Sequence, residues 1–179
     1  MKIKNKTQAG VGLVEVMIAL LLLGVAVLGF IALQVRAISA SEEAGQNVQA
    51  MNLARDLSER MRMNREGLLS YEPSSTTPTA CDEARYCSPA DMAHFEYAQI
   101  EERATQQGMT INILDCQGVN NTFRRKCIYV AWGKTEATDA SDTSSSSDAS
   151  SGESATACTN GTSYEPNAQC VIMEVYNYE

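Results

Sequence analysis

Gln8-Ala9-Gly10-Val11-Gly12-Leu13-Val14-Glu15-Val16 opens an apolar run that continues without a charge to Leu33. One carboxylate, Glu15, therefore stands five residues after a glycine. It heads a segment long enough to cross a bilayer, for which about 20 apolar residues suffice. An acidic side chain at the centre of a membrane helix costs about 2.5–3.5 kcal/mol on insertion scales, and less near an interface. A residue kept against that cost is a candidate for function. Lys2, Lys4 and Lys6 precede it with no acid among them, and the positive-inside rule keeps such a tail in the cytoplasm. Everything after about Gln34 is then expected outside the inner membrane.

Two simpler readings of this segment compete. A secretory signal peptide has a basic start, an apolar stretch of about 7–15 residues and a small-residue cleavage site; Ile38-Ser39-Ala40 would serve as that site. Residues 16–33 are long for such a stretch. A plain membrane anchor fits the length. Neither accounts for a carboxylate placed five residues after Gly10.

The chain has 179 residues, which suits one folded domain plus an anchor. Its formal net charge is −8, and removal of residues 1–10 with their three lysines would leave −11. An acidic surface argues against nonspecific nucleic-acid binding, which depends on Lys and Arg meeting phosphates. The basic cluster Arg124-Arg125-Lys126 is flanked by turn residues and reads as a solvated hairpin end, with a DNA contact as the minor alternative. Six cysteines in an exported chain suggest disulfides. No C-x2-C pair occurs, and the single histidine, His94, is not spaced from any cysteine as a zinc ligand would be. No metal or other cofactor is expected. Pairing by sequence neighbours is expected: Cys81–Cys87, Cys116–Cys127 and Cys158–Cys170. Each pair brackets a loop rich in turn residues, and short loops are entropically easiest to close.

Residues 35–65 contain one glycine and no proline, and Ala44, Val48, Met51, Ala54, Leu57 and Met61 recur every three or four positions. That spacing predicts an amphipathic helix, with Asp56 and Arg60 as a favourable i,i+4 pair. Nothing interrupts it between Leu33 and Val35. One helix of about 80 Å is expected from about Val11 to Asn64, at 1.5 Å per residue. Residues 66–90 mix proline with Ser and Thr and read as an irregular connection pinned by Cys81 and Cys87. A second helix is expected from Pro89 to Gln107, capped by Ser88 and ended by Gly108. His94 falls within it, with no triad around it.

Strands are expected from Met109 to Leu114 and from Cys127 to Trp132, forming a hairpin, and from Cys170 to Tyr178. Residues of about 134–157 are dominated by Ser, Asp, Thr and Ala, and read as a disordered surface loop. The loop is either a tolerated insertion or an O-glycosylated fibre surface. The fold class is α+β: a long N-terminal helix packed on a small antiparallel sheet and pinned by disulfides. The domain order is 1–10 leader, 11–34 membrane helix, 35–65 amphipathic helix and 66–179 exported α+β region.

The leader resembles the class III signal of type IV pilins and pseudopilins, in which a peptidase cuts after the glycine. Within that family the chain is most similar to PilV-type minor pilins. The likeness rests on Gly10-Val11-Gly12-Leu13-Val14-Glu15, on the helix-end phrase Ala54-Arg55-Asp56-Leu57-Ser58-Glu59-Arg60-Met61-Arg62-Met63-Asn64, on Cys87-Ser88-Pro89-Ala90-Asp91-Met92-Ala93, and on Tyr129-Val130-Ala131-Trp132. It covers about residues 1–132 and the last strand. Val11 replaces the family's usual phenylalanine, and the helix-kinking proline of many major pilins is missing.

The resemblance implies a structural, non-enzymatic subunit, cut between Gly10 and Val11 by a prepilin peptidase and N-methylated there. It implies that Glu15 drives assembly by meeting a neighbour's Val11 amine. The implied partners are other minor pilins, the major pilin and the assembly platform, with a tip adhesin as a further candidate. The implied location is the inner membrane, then the pilus. A type II secretion pseudopilin shares the leader, the long helix and Glu15 and stays open as an alternative. A membrane-anchored periplasmic enzyme would need a catalytic constellation, and the residues offer none.

Overall fold

A computed structural model describes residues 12–73, 81, 86–118, 125–142 and 156–176. The chain divides into two compact units, Met1–Ala44 and Gly45–Glu179. Helix α1 (Leu13–Met63) supplies the described structure of the first unit and the first helix of the second.

In the second unit α1 ends at a built stop. The Asn64 amide closes the last turn on the Arg60 carbonyl, while its side chain donates to the Pro89 carbonyl at 2.7 Å and accepts from the Gly67 amide at 3.3 Å. A 3-10 turn, Leu68–Ser70, follows. Helix α2 (Pro89–Gln106) begins where Ser88 Oγ accepts the Asp91 amide, with proline at its first position. Its buried residues Ala93, Tyr97, Ile100 and Ala104 form one stripe. Asp56 ties the helices together, accepting from Arg60 at 2.9 Å and from Arg103 of α2 at 2.7 Å. Partial burial alone would raise the Asp56 carboxyl, but the Arg60 and Arg103 bonds outweigh it and hold it below the usual carboxylate range.

The face that α1 buries differs from the expected stripe. Ala50, Leu53, Ala54, Leu57, Ser58 and Met61 are buried, whereas Val48 is 61% and Met51 42% exposed. Two apolar residues of a continuous helix lie a fraction of a turn from the seam. Periodicity finds a stripe, but what lies opposite selects which edge of it is covered.

Among the described residues six strands follow: β1 (Met109–Asp115), β2 (Arg125–Trp132), β3 (Thr135–Asp139), β4 (Thr156–Asn160), β5 (Ser163–Tyr164) and β6 (Cys170–Tyr176). They make two sheets. Sheet 1 has the order β1-β2-β6 and is antiparallel throughout, with Ile111 opposite Val130 and Val130 opposite Val171. Sheet 2 has the order β3-β4-β5, in which β3 and β4 are parallel and β4 and β5 antiparallel.

Sheet 1 is buried on both faces, which explains the unbroken apolar run Cys127–Trp132 of its central strand. Its helix side joins Ile111, Ile113, Ile128, Val130, Val171 and Val175 to Leu57, Met61, Tyr97 and Ile100. The Tyr97 hydroxyl donates to the Ile111 carbonyl at 3.0 Å, so this polar atom is buried with a partner. The other side joins Cys116, Cys127, Tyr129 and Ala131 to Ala137 and Cys158 of sheet 2.

Sheet 2 corrects the expected loop at 134–157. Thr135–Asp139 is a strand and Thr156–Ala157 begins another; residues 143–155 lie outside the described residues. The chain passes from sheet 1 to sheet 2 at Gly133, whose φ of +68° suits glycine. A Cβ there would sit 2.1 Å from Gln169 Oε1. The same corner is fastened by the Trp132 amide on the Gln169 carbonyl and the Gln169 amide on Thr135 Oγ1.

Candidate functional site

Gly12 starts α1: its carbonyl accepts the amides of Glu15 at 3.0 Å and Val16 at 3.3 Å. Glu15 thereby stands in the first turn, where the helix dipole favours an anion. Its side chain is exposed, as are those of Leu13, Val14, Val16 and Met17 around it. Ala19 and Leu23 follow on the same helical face at four-residue steps. The next charge along the chain is Arg36. This helix is long and apolar enough to cross a membrane, and its most apolar window has none of its residues buried within the structure. An apolar surface of that extent is a demand for lipid or for other helices. Gly10 and Val11 lie outside the described residues.

The structure joins the six cysteines as Cys81–Cys87, Cys116–Cys127 and Cys158–Cys170. Cys116–Cys127 closes the β1–β2 hairpin within sheet 1. Cys158–Cys170 links β4 to β6 and so ties sheet 2 to sheet 1. Cys116, Cys127 and Glu174 bring three donor atoms within 4.8 Å of one another. The two sulfurs are bonded to each other, so they present no thiolate to a cation.

A second fastening is polar. Asp139, at the end of β3, is buried and accepts from the Ser141 amide at 2.8 Å, from the Ser141 hydroxyl and from the Thr159 hydroxyl at 2.6 Å. The Tyr129 hydroxyl of β2 lies 3.4 Å from Thr159 Oγ1. Burial pushes the Asp139 carboxyl upward, but the hydroxyls of Ser141 and Thr159 and the backbone amides of Ser141 and Gly161 outweigh it and hold it below the usual range. Nothing in the primary sequence marked this aspartate. The available signal was its position at the end of the short run Thr135-Glu136-Ala137-Thr138, which reads as loop.

The basic cluster is less solvated than expected. Arg125 and Lys126 open β2 rather than a turn. The Arg125 guanidinium lies 5.1 Å from the Tyr176 ring centroid, and Lys126 pairs with Asp115 at 2.7 Å. Arg124 lies outside the described residues. His94 sits on α2, half-buried, with its Nδ1 enclosed and unpartnered among the described residues.

Comparison with known proteins found two family models that match parts of the chain. The prokaryotic N-terminal methylation motif matches residues 5–31, which take in Gly10, Glu15 and much of the apolar run that follows. The family model of type IV pilin Tt1218 matches residues 32–98, the rest of α1 through the first half of α2. The two matches support a type IV pilin-like protein, and the long N-terminal helix, small antiparallel sheet and disulfides match the type IV pilin fold. No curated protein and no solved structure gave a match. Pilins are structural subunits that assemble with other pilus components, and an apolar N-terminal helix suits a membrane-anchored one.

Proposed function

We propose that the chain is a minor pilin of the PilV type, which primes pilus polymerisation and sits at or near the tip. The observation that carries the reading is Glu15: a lone carboxylate in the first turn of an exposed apolar helix. In this reading residues 1–10 are a leader removed by prepilin peptidase, residues 11–34 anchor the subunit in the inner membrane with the N-terminus cytoplasmic, and residues 35–65 continue the helix into the exported region. Cleavage frees the Val11 amine, a cation at a helix N-terminus. Glu15 of a neighbouring subunit pairs with such an amine as the helices leave the lipid. Leaving either charge alone in an apolar fibre core costs several kcal/mol, so the pairing decides whether a subunit can be accommodated. The helix-end phrase of residues 54–64 and Cys87-Ser88-Pro89-Ala90 support the PilV-type assignment. The partners are other minor pilins, the major pilin, the assembly platform and a tip adhesin.

Glu15→Ala separates processing from assembly. The peptidase reads the Gly10 junction and the basic tail, which remain. Insertion is no worse, because a carboxylate has left an apolar helix. The variant should be cleaved to a chain lacking residues 1–10, as seen by intact mass, yet be absent from sheared pili. Wild-type incorporation would remove Glu15 from the assembly contact, and recovery of only full-length chain or a start near Ser41 would remove the leader. A type II secretion pseudopilin would show the same cleavage but reside in a periplasmic pseudopilus, and neighbouring genes distinguish the two.

A further inference from the structure

Asn160 is the last residue of β4 and faces Ser163 across the ladder, so Gly161 and Thr162 form a two-residue turn. Asn160 is exposed on this hairpin. An asparagine followed by glycine can modify itself: the next backbone nitrogen attacks the side-chain carbonyl carbon, ammonia leaves and a cyclic imide forms. Water then opens the imide at either carbonyl, leaving aspartate or isoaspartate. No outside reactant except water is needed. Glycine is the least hindering neighbour because it carries no Cβ, and the space where one would lie at Gly161 is open for 4 Å.

One feature of the fold opposes this chemistry. Asn160 is fixed in register opposite Ser163, so its backbone cannot turn toward the imide geometry until the β4–β5 pair opens. The same strand is fastened to β3, where the Thr159 hydroxyl donates to the Asp139 carboxylate at 2.6 Å.

We propose that Asn160 is a self-modification site, silent while sheet 2 is closed. Opening of the turn exposes the pair to imide formation, and the product does not revert. An isoaspartate adds one carbon to the main chain of a two-residue turn whose register is set by its length. Each opening long enough to react is thereby recorded covalently in the subunit.

The test is peptide mapping of residue 160 in the full-length chain in detergent micelles at mildly alkaline pH. The folded wild type should convert at least about tenfold more slowly than the same chain reduced and unfolded in urea. Thr159→Val removes the hydroxyl that fastens β4 to Asp139 of β3, so it should loosen sheet 2 and convert about tenfold faster than folded wild type, the change expected from losing one hydrogen bond to a charged group. Equal rates in folded and unfolded wild type would overturn the proposal, and this comparison decides the matter even if Thr159→Val unfolds. A Thr159→Val rate equal to that of folded wild type would show that closure of sheet 2 is not what silences the site.

Discussion

Sheet 1 is covered by helices on one face and by three short strands on the other, and different forces hold the two covers. The helix side carries Leu53, Leu57, Met61, Tyr97, Ile100 and a row of Ile and Val from the strands. Fully burying one such side chain stabilises the fold by about 1.5–3 kcal/mol, so area alone secures that face. On the strand side, among the described residues, sheet 2 contributes Ala137 and Cys158 to the core. Residues that small remove little surface from water. The cover is fastened instead by the Cys158–Cys170 bond and by the chain of Asp139, Thr159 and Tyr129. One face is built to be stable in any compartment. The other depends on oxidation and on an ionised aspartate.

The contrast can be broken from either side. Leu57→Ala empties the middle of the helix-side core and should cost about 3–5 kcal/mol, the range for a fully buried leucine that cannot be refilled. Thermal unfolding of the purified chain in detergent reads this as a loss of the whole transition. A drop of under 1 kcal/mol would mean that area is not what holds this face.

Replacing Cys158 and Cys170 together by serine should cost about 2–3 kcal/mol, as expected for a loop of this length. The loss should also be local. Amide exchange should rise across β3, β4 and β5 while β1 and β2 keep their protection. Uniform loosening of both sheets would show that sheet 2 is not separately fastened.

The smallest effect belongs to Asp139 and is visible only in acid. Its carboxyl is held below 3.8, the value without the fold, by its hydrogen bonds. It therefore contributes stability that is present above that value and is lost as pH falls through the lower folded one. Protection of the β4–β5 amides should decline in that window before that of β1 and β2. Asp139→Asn should flatten this pH dependence. An unchanged profile would place the acid-sensitive group elsewhere.

The helices and sheet 1 were legible in the sequence because their signals are local and strong. Ser88 before Pro89 and Gly108 after Gln107 bound α2 by capping chemistry alone. The strands of sheet 1 carry Ile, Val, Tyr and Trp in runs that few other structures accommodate. Sheet 2 was not legible: Thr135-Glu136-Ala137-Thr138-Asp139 has a single small apolar residue. Such a segment is a strand because Ala137 meets a core already built by β1 and β2, and because Asp139 finds its donors on Thr159 and Ser141. Both are decided by tertiary context, which outweighs weak strand propensity. Glu15 was conspicuous for a different reason, as a charge where charge is costly. Asp139 looked ordinary among many exposed acids until its burial was seen.

The parallel pairing of β3 with β4 gives the serine-rich stretch an unexpected constraint. Antiparallel neighbours can be joined by two residues, but parallel ones need the chain to travel back along the strand, which takes a dozen residues or more. Sixteen residues, 140–155, separate the end of β3 from the start of β4. Apart from Ser141, which holds Asp139, the letters of this interval are free to drift, since none is a large apolar side chain. Its count is not. Mutational tolerance there should be high for substitution and low for deletion, so that related chains would differ in spelling across this stretch while agreeing on a minimum length.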